Sequence, residues 1–169
     1  RFSKPRVDGS NPSERTIFLY TMKKKFLKFC LDNKFQQNEK QFKALDALIK
    51  FYKKESLLKK ILSKFFHPQK KKGFYLQGGV GVGKTMLLNF FFDNLETTKQ
   101  RKHFNEFMIE FHDFRHDYRS QGKDNSINVF VKNLKQKSNL IYLDEFQVTN
   151  IVDAMILGRL FEAIFRENI

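Results

Sequence analysis

An α/β fold, with a parallel sheet flanked by helices and a basic helical segment ahead of it, is predicted by three observations. Residues 78–85 read Gly-Gly-Val-Gly-Val-Gly-Lys-Thr, between an apolar stretch (73–77) and a helix-forming one (86–92). Residues 139–145 read Asn-Leu-Ile-Tyr-Leu-Asp-Glu, an apolar run closed by two carboxylates. Apolar residues recur at helical spacing through 23–65 and again in 153–166. A continuous apolar run suits a strand buried on both faces of a parallel sheet, and an acid at its carboxyl end points into the crevice where such sheets bind ligands.

The Gly-x-x-x-x-Gly-Lys-Thr spacing is that of a phosphate-binding loop, so the fold class is narrowed to a P-loop nucleoside triphosphatase. The chemistry needs a strand to aim the loop and a helix N-terminus behind it, so that main-chain N–H groups converge on phosphate oxygens. Gly78, Gly79, Val80, Gly81, Val82 and Gly83 supply that cradle, and Lys84 reaches the β- and γ-phosphates of ATP. The Thr85 hydroxyl and, through water, Asp144 are expected to hold Mg2+, while Glu145 polarises the attacking water. The catalytic pair is therefore Lys84 and Glu145. A glycine-rich turn before an ordinary helix is the bland alternative, and both flanks argue against it. Adjacent Asp144 and Glu145 favour the ATPase branch with an additional strand over GTPases and most small-molecule kinases.

In chain order, residues 1–21 are expected to be a non-native or disordered leader, with a turn-rich opening (Pro5, Gly9, Pro12) and no periodicity. Gly9-Ser-Asn-Pro12 also back-translates to a sequence typical of a tRNA T-arm, which suggests a start near Met22. Residues 22–72 form the basic helical lead-in. Phe42, Leu45, Leu48, Ile49 and Tyr52 make one apolar stripe, continued by Leu58, Ile61, Leu62 and Phe65 until Pro68 breaks it. Residues 73–169 are expected to be an incomplete P-loop core: a strand at 73–77, a helix at 86–95, and a second strand at 104–111 with Phe107, Ile109 and Phe111 on one face. Helices at 113–119 and 127–134 flank a turn at 121–125. The Asp-Glu strand follows, then a helix at 153–166 with Ile156, Leu157, Leu160, Ile164 and Phe165 as its stripe.

Charge is unevenly distributed. Residues 23–72 hold 16 Lys against 4 acids, whereas 12 basic and 12 acidic residues cancel from residue 73 onward. The lysines fit a solvated helix face in a composition rich in Phe, Lys and Asn; attraction to nucleic acid or an anionic membrane surface is the less favoured reading. One cysteine, Cys30, precludes an intrachain disulfide and reads as a small buried apolar residue. No apolar run reaches membrane-spanning length. His112 and His116 stand four apart with an acid between them, but that acid is Asp113 where zinc peptidases use Glu, so a surface pair is the sounder reading.

The run from Gly73 through Leu88, the segment 102–108 and the stretch 144–165 together resemble the ZapE-type AAA+ ATPases of bacteria and mitochondria, over roughly residues 35 to 169. The stretch Asp144-Glu-Phe-Gln-Val-Thr-Asn-Ile-Val-Asp-Ala-Met-Ile-Leu-Gly-Arg-Leu-Phe is its most specific part; Asn150 stands where the family has aspartate. The resemblance implies an AAA+ sheet, a homo-oligomer whose neighbouring subunit supplies an arginine, and remodelling of a protein partner. That partner is a component of the bacterial division ring or belongs to mitochondrial quality control, with cytoplasmic or mitochondrial location accordingly. It also implies a sensor strand, arginine finger and helical lid beyond Ile169, so this stretch alone is expected to be an inactive N-terminal fragment. Two alternatives are a helicase-loader-like ATPase acting on DNA and a nucleotide-binding adaptor with little hydrolysis.

Overall fold

The computed structural model describes residues 14–36, 38–52, 73–122 and 124–169. They fall into two compact units, one ending at Leu95 and the other beginning at Glu96. The loop at 78–85 therefore groups with the basic helices.

The first unit holds α1 (Glu14–Asp32), α2 (Glu39–Tyr52) and α3 (Lys84–Asp93). Met22, Phe26 and Cys30 recur every fourth residue of α1 and form its buried stripe, since positions four apart share a helix face. On α2 the buried positions are Leu45, Leu48 and Ile49, at the spacing the sequence predicts; on α3 they are Leu87, Phe90 and Phe91. The Phe26 ring meets Phe42 of α2 at 5.3 Å and Phe90 of α3 at 5.0 Å, so one fully buried side chain of α1 joins it to both of these helices. Burying a phenylalanine contributes about 1.5–3 kcal/mol. Asn38 caps α2 by accepting from the Lys40 amide (2.9 Å). Lys24, Lys25, Lys28, Lys40, Lys43 and Lys50 are exposed, and Lys23 is paired with Asp46 at 2.7 Å.

Two expectations change here. Residues 14–21, placed with the non-native or disordered leader, are not disordered: they are the opening turns of α1, continuous with Met22. The stretch 73–77 is not a strand: strand structure requires a hydrogen-bonded neighbour, and the described sheet has two strands, neither in this segment. Phe74 instead packs on Phe51 of α2 at 5.8 Å. The apolar residues Leu58 to Phe65 and the break at Pro68 lie outside the described residues.

The second unit runs β1 (Lys99–His103), α4 (Phe104–Ser120), α5 (Ser126–Lys137), β2 (Leu140–Asp144) and α6 (Ile151–Arg166). The strands are parallel, registered from Lys99 opposite Leu140 to His103 opposite Asp144. Helices α4 and α5 make the crossover that a parallel pair requires. The core gathers Phe107 and Phe111 of α4, Phe130 and Leu134 of α5, and Leu160 and Ile164 of α6. Phe130 anchors it, with ring centroids 5.8 Å from Phe107 and 5.2 Å from Phe111. Leu157, Leu160 and Ile164 are buried on α6, matching the predicted stripe.

The second strand was expected at 104–111, and that segment is helical. Phe107, Ile109 and Phe111 alternate, but Phe104, Phe107, Met108 and Phe111 also follow helical spacing, and these four are buried while Ile109 is exposed. An apolar run this short fits both periods. The actual strand, Lys-Gln-Arg-Lys-His, has no apolar residue; its ladder to β2 makes it a strand.

Candidate functional site

The predicted phosphate loop stands at the N-terminus of α3. Gly81 and Gly83 have φ of 77° and 80°, left-handed values that side-chain-bearing residues adopt at a cost. Gly83 is the residue before the first helical one, and its carbonyl accepts from the Leu87 amide at 3.0 Å. No side chain caps this end, so the first-turn N–H groups of α3 retain donor capacity for an anion. Val80 is fully exposed and Val82 and Thr85 are exposed, so none of the three is held by packing into the core. Lys84 bends back over the loop: its Nζ donates to the Gly78 carbonyl at 2.7 Å and the Gly79 carbonyl at 2.6 Å. A triphosphate would exchange those neutral acceptors for charged oxygens, which make stronger bonds to an ammonium.

A side chain the sequence reading missed also reaches this loop. Gln41 Nε2, from the first turn of α2, donates to the Val82 carbonyl at 3.1 Å. Forty residues and more separate the two positions, so local pattern gave no signal for it.

The carboxylate pair closes β2 in the second unit. Arg101 of β1 donates to Asp144 Oδ2 at 2.5 Å, the Tyr142 hydroxyl donates to Oδ1 at 3.1 Å, and the Glu145 amide donates to Oδ1 at 3.1 Å. Burial works to raise the Asp144 pKa, but those three donors and the Arg101 charge outweigh it, so the carboxyl is held below the usual range. Tyr142 moves the other way. Burial, reinforced by the Asp144 charge and hydrogen bond and opposed by Arg101, pushes its phenol up to about 12. The Arg101 guanidinium also lies 5.2 Å from the Tyr142 ring centre. Glu145 has φ 51°, a left-handed conformation that costs a non-glycine residue about 1–2 kcal/mol, and its side chain is exposed. Its Oε2 lies 3.9 Å from His103 Nδ1. Arg101 was missed because it sits on an all-polar segment; only the parallel register sets it opposite Tyr142.

Of the other singled-out residues, His112 does not pair with His116. Its Nε2 lies 2.6 Å from Asp153 Oδ1 on α6, while His116 faces its neighbour Asp117. Asn150 caps α6, its Oδ1 accepting from the Val152 amide at 2.8 Å. Asparagine and aspartate cap about equally well, so this departure from the family pattern preserves the local structure. Cys30 is fully buried, and burial raises its thiol pKa.

A model of the AFG1-like ATPases matches residues 20–169, nearly the whole chain. The chain belongs to the AFG1-like ATPase family. Cell division protein ZapE of Escherichia coli K12 is 37% identical over 99 residues, covering 58% of this chain and 26% of the relative. Lactation elevated protein 1 homolog B of Danio rerio is 37% identical over 109 residues, 59% of this chain and 22% of its own length. An uncharacterized protein of Schizosaccharomyces pombe is 38% identical over 104 residues, 59% and 23% respectively. The chain thus spans about a quarter of the length of the curated relatives it matches. No solved structure matches it. No helix among the described residues of this AFG1-like chain is long and apolar enough to cross a membrane.

Proposed function

We propose that this AFG1-like chain carries the nucleotide-binding and water-activating residues of an AAA+ ATPase that uses Mg2+-dependent ATP hydrolysis to remodel a protein partner. The observation that carries the reading is the loop itself. Left-handed Gly83 opens directly into α3, and Lys84 is folded over the loop carbonyls within reach of whatever the loop holds. An uncapped helix start and an ammonium on one loop form an anion site of the kind a triphosphate occupies.

Each unit offers an oxygen donor of the kind magnesium, a hard cation, prefers: the exposed Thr85 hydroxyl in the first and, in the second, an Asp144 carboxyl kept ionised by its neighbours. When bound, the ion supplies charge neutralisation at the phosphates. Glu145, exposed and held in a strained backbone conformation beside Asp144, is the group to orient and deprotonate water. A neighbouring subunit is expected to contribute an arginine, so turnover requires a homo-oligomer of the full-length protein. The E. coli relative is named for cell division, which makes a division-ring component a reasonable first partner to test; the compartment would be the bacterial cytoplasm or, in a eukaryote, the mitochondrion.

Two variants of the full-length protein test the assignment. Glu145→Gln should retain ATP and lose hydrolysis by at least about 100-fold, the scale of a general base. Lys84→Ala should weaken ATP binding by roughly 10- to 100-fold, as expected for loss of a charged hydrogen-bond donor. Unchanged turnover in Glu145→Gln would remove that residue from the mechanism, and unchanged binding in Lys84→Ala would refute the site.

A further inference from the structure

Gln41 stands outside the loop motif, yet its side chain determines how part of the loop is presented. It lies in the first turn of α2, where the Asn38 carbonyl accepts its backbone N–H at 3.0 Å and the Asn38 side chain caps the turn. Its base is therefore fixed. Its Nε2 donates to the Val82 carbonyl at 3.1 Å. The approach is close: a Cβ added at Gly83 would lie 2.7 Å from Nε2, so the glycine admits the amide as well as the left-handed turn. Since Nε2 faces an acceptor, the amide orientation follows, and Gln41 Oε1 is left buried without a hydrogen-bond partner. An orphaned buried acceptor costs free energy, so the donor contact is kept in spite of that penalty.

The consequence runs through one peptide unit. The C=O and N–H of a trans peptide point in opposite directions, and the described chain contains no cis bond. Holding the Val82 carbonyl toward α2 directs the Gly83 N–H away from α2. That N–H belongs to the loop's cradle, immediately before Lys84.

We propose that Gln41 is a positioning residue for the phosphate loop: by donating to the Val82 carbonyl it aims the Gly83 N–H at nucleotide phosphate, so α2 tunes nucleotide affinity. The proposal rests on the reading of residues 78–85 as a nucleotide-binding loop. The experiment is ATP–Mg2+ titration of the full-length protein, with Gln41→Met, Gln41→Glu and Lys84→Ala in parallel. Met matches the glutamine in length and cannot donate; binding should weaken about 5-fold, the worth of one neutral hydrogen bond. Glutamate is isosteric, and when ionised sets a negative oxygen against a carbonyl. At pH 8 it should weaken binding by roughly 10- to 100-fold, recovering toward wild type as the pH is lowered and the carboxyl becomes a donor. A space-filling role would leave Gln41→Met at wild-type affinity and give Gln41→Glu no such recovery; either result overturns the proposal. If Lys84→Ala loses binding while Gln41→Met does not, only this proposal falls. If both bind as wild type, the nucleotide-loop reading falls instead.

Discussion

The glycine-rich loop and the carboxylate pair are built on opposite plans. In the loop, backbone dihedrals do the shaping: two glycines take left-handed φ, a helix begins, and Lys84 rests on carbonyls five and six residues away in sequence. At Asp144 side chains do most of the shaping, although the next residue, Glu145, is left-handed and adds its backbone N–H. Arg101 arrives from another strand and Tyr142 from two residues back; together they keep the Asp144 carboxyl ionised, while burial and that carboxylate keep the Tyr142 phenol protonated. A site whose geometry is local in sequence can be read from a motif. One whose electrostatics depend on strand register cannot.

That contrast can be broken most sharply at Gly83. Alanine there incurs about 1–2 kcal/mol for a left-handed φ and displaces the Gln41 amide from Val82, a further ~1 kcal/mol. ATP affinity should fall by roughly 30- to 150-fold, read by calorimetry, while the Asp144 titration stays where it was. A binding constant within a factor of two of wild type would show that the loop is not shaped by its backbone.

The second test addresses the other plan. Replacing Arg101 by methionine removes the guanidinium that offsets burial, so the Asp144 carboxyl should titrate higher, as followed by carboxyl-carbon NMR. The sign for stability follows from the depressed folded value. The Asp144 contribution is fully present above the unfolded pKa of about 4 and is lost as pH falls through the folded one. The variant should therefore show a smaller loss of stability across that acid window than the wild type. An Asp144 titration unmoved by the substitution would mean that Tyr142 and the Glu145 amide suffice.

The smallest effect sharpens the comparison at its edge. Asn150→Ala removes the cap of α6, costing about 1 kcal/mol and lowering the melting temperature by a few degrees, whereas Asn150→Asp should be neutral. Loss of stability in the aspartate variant as large as in alanine would show that something other than capping is at work.

Much of the helical part of the fold was legible because helices carry their apolar stripe within themselves: Leu45, Leu48 and Ile49 on α2, and Leu157, Leu160 and Ile164 on α6, fall at the positions the period predicts. The strands divide instructively. β2 could be read because Leu140 to Leu143 form an unbroken apolar run; β1 could not, because Lys-Gln-Arg-Lys-His has no pattern at all and becomes a strand by pairing. The phenylalanine-rich segment after it misled because its spacing served two periods, and burial of Phe104 and Met108 against α5 and α6 chose the helix.

What the sequence determined by itself is where the glycine-rich loop, the acid pair and the stripes of α2 and α6 fall, since each is set by residues within a few positions of one another. What the tertiary structure decided is who attends them. Gln41 reaches the loop across intervening chain, and Arg101 reaches Asp144 because two parallel strands share a register. Hydrogen bonding and charge act over ångströms in space and are indifferent to distance along the chain, which is why those partners became visible only in the fold.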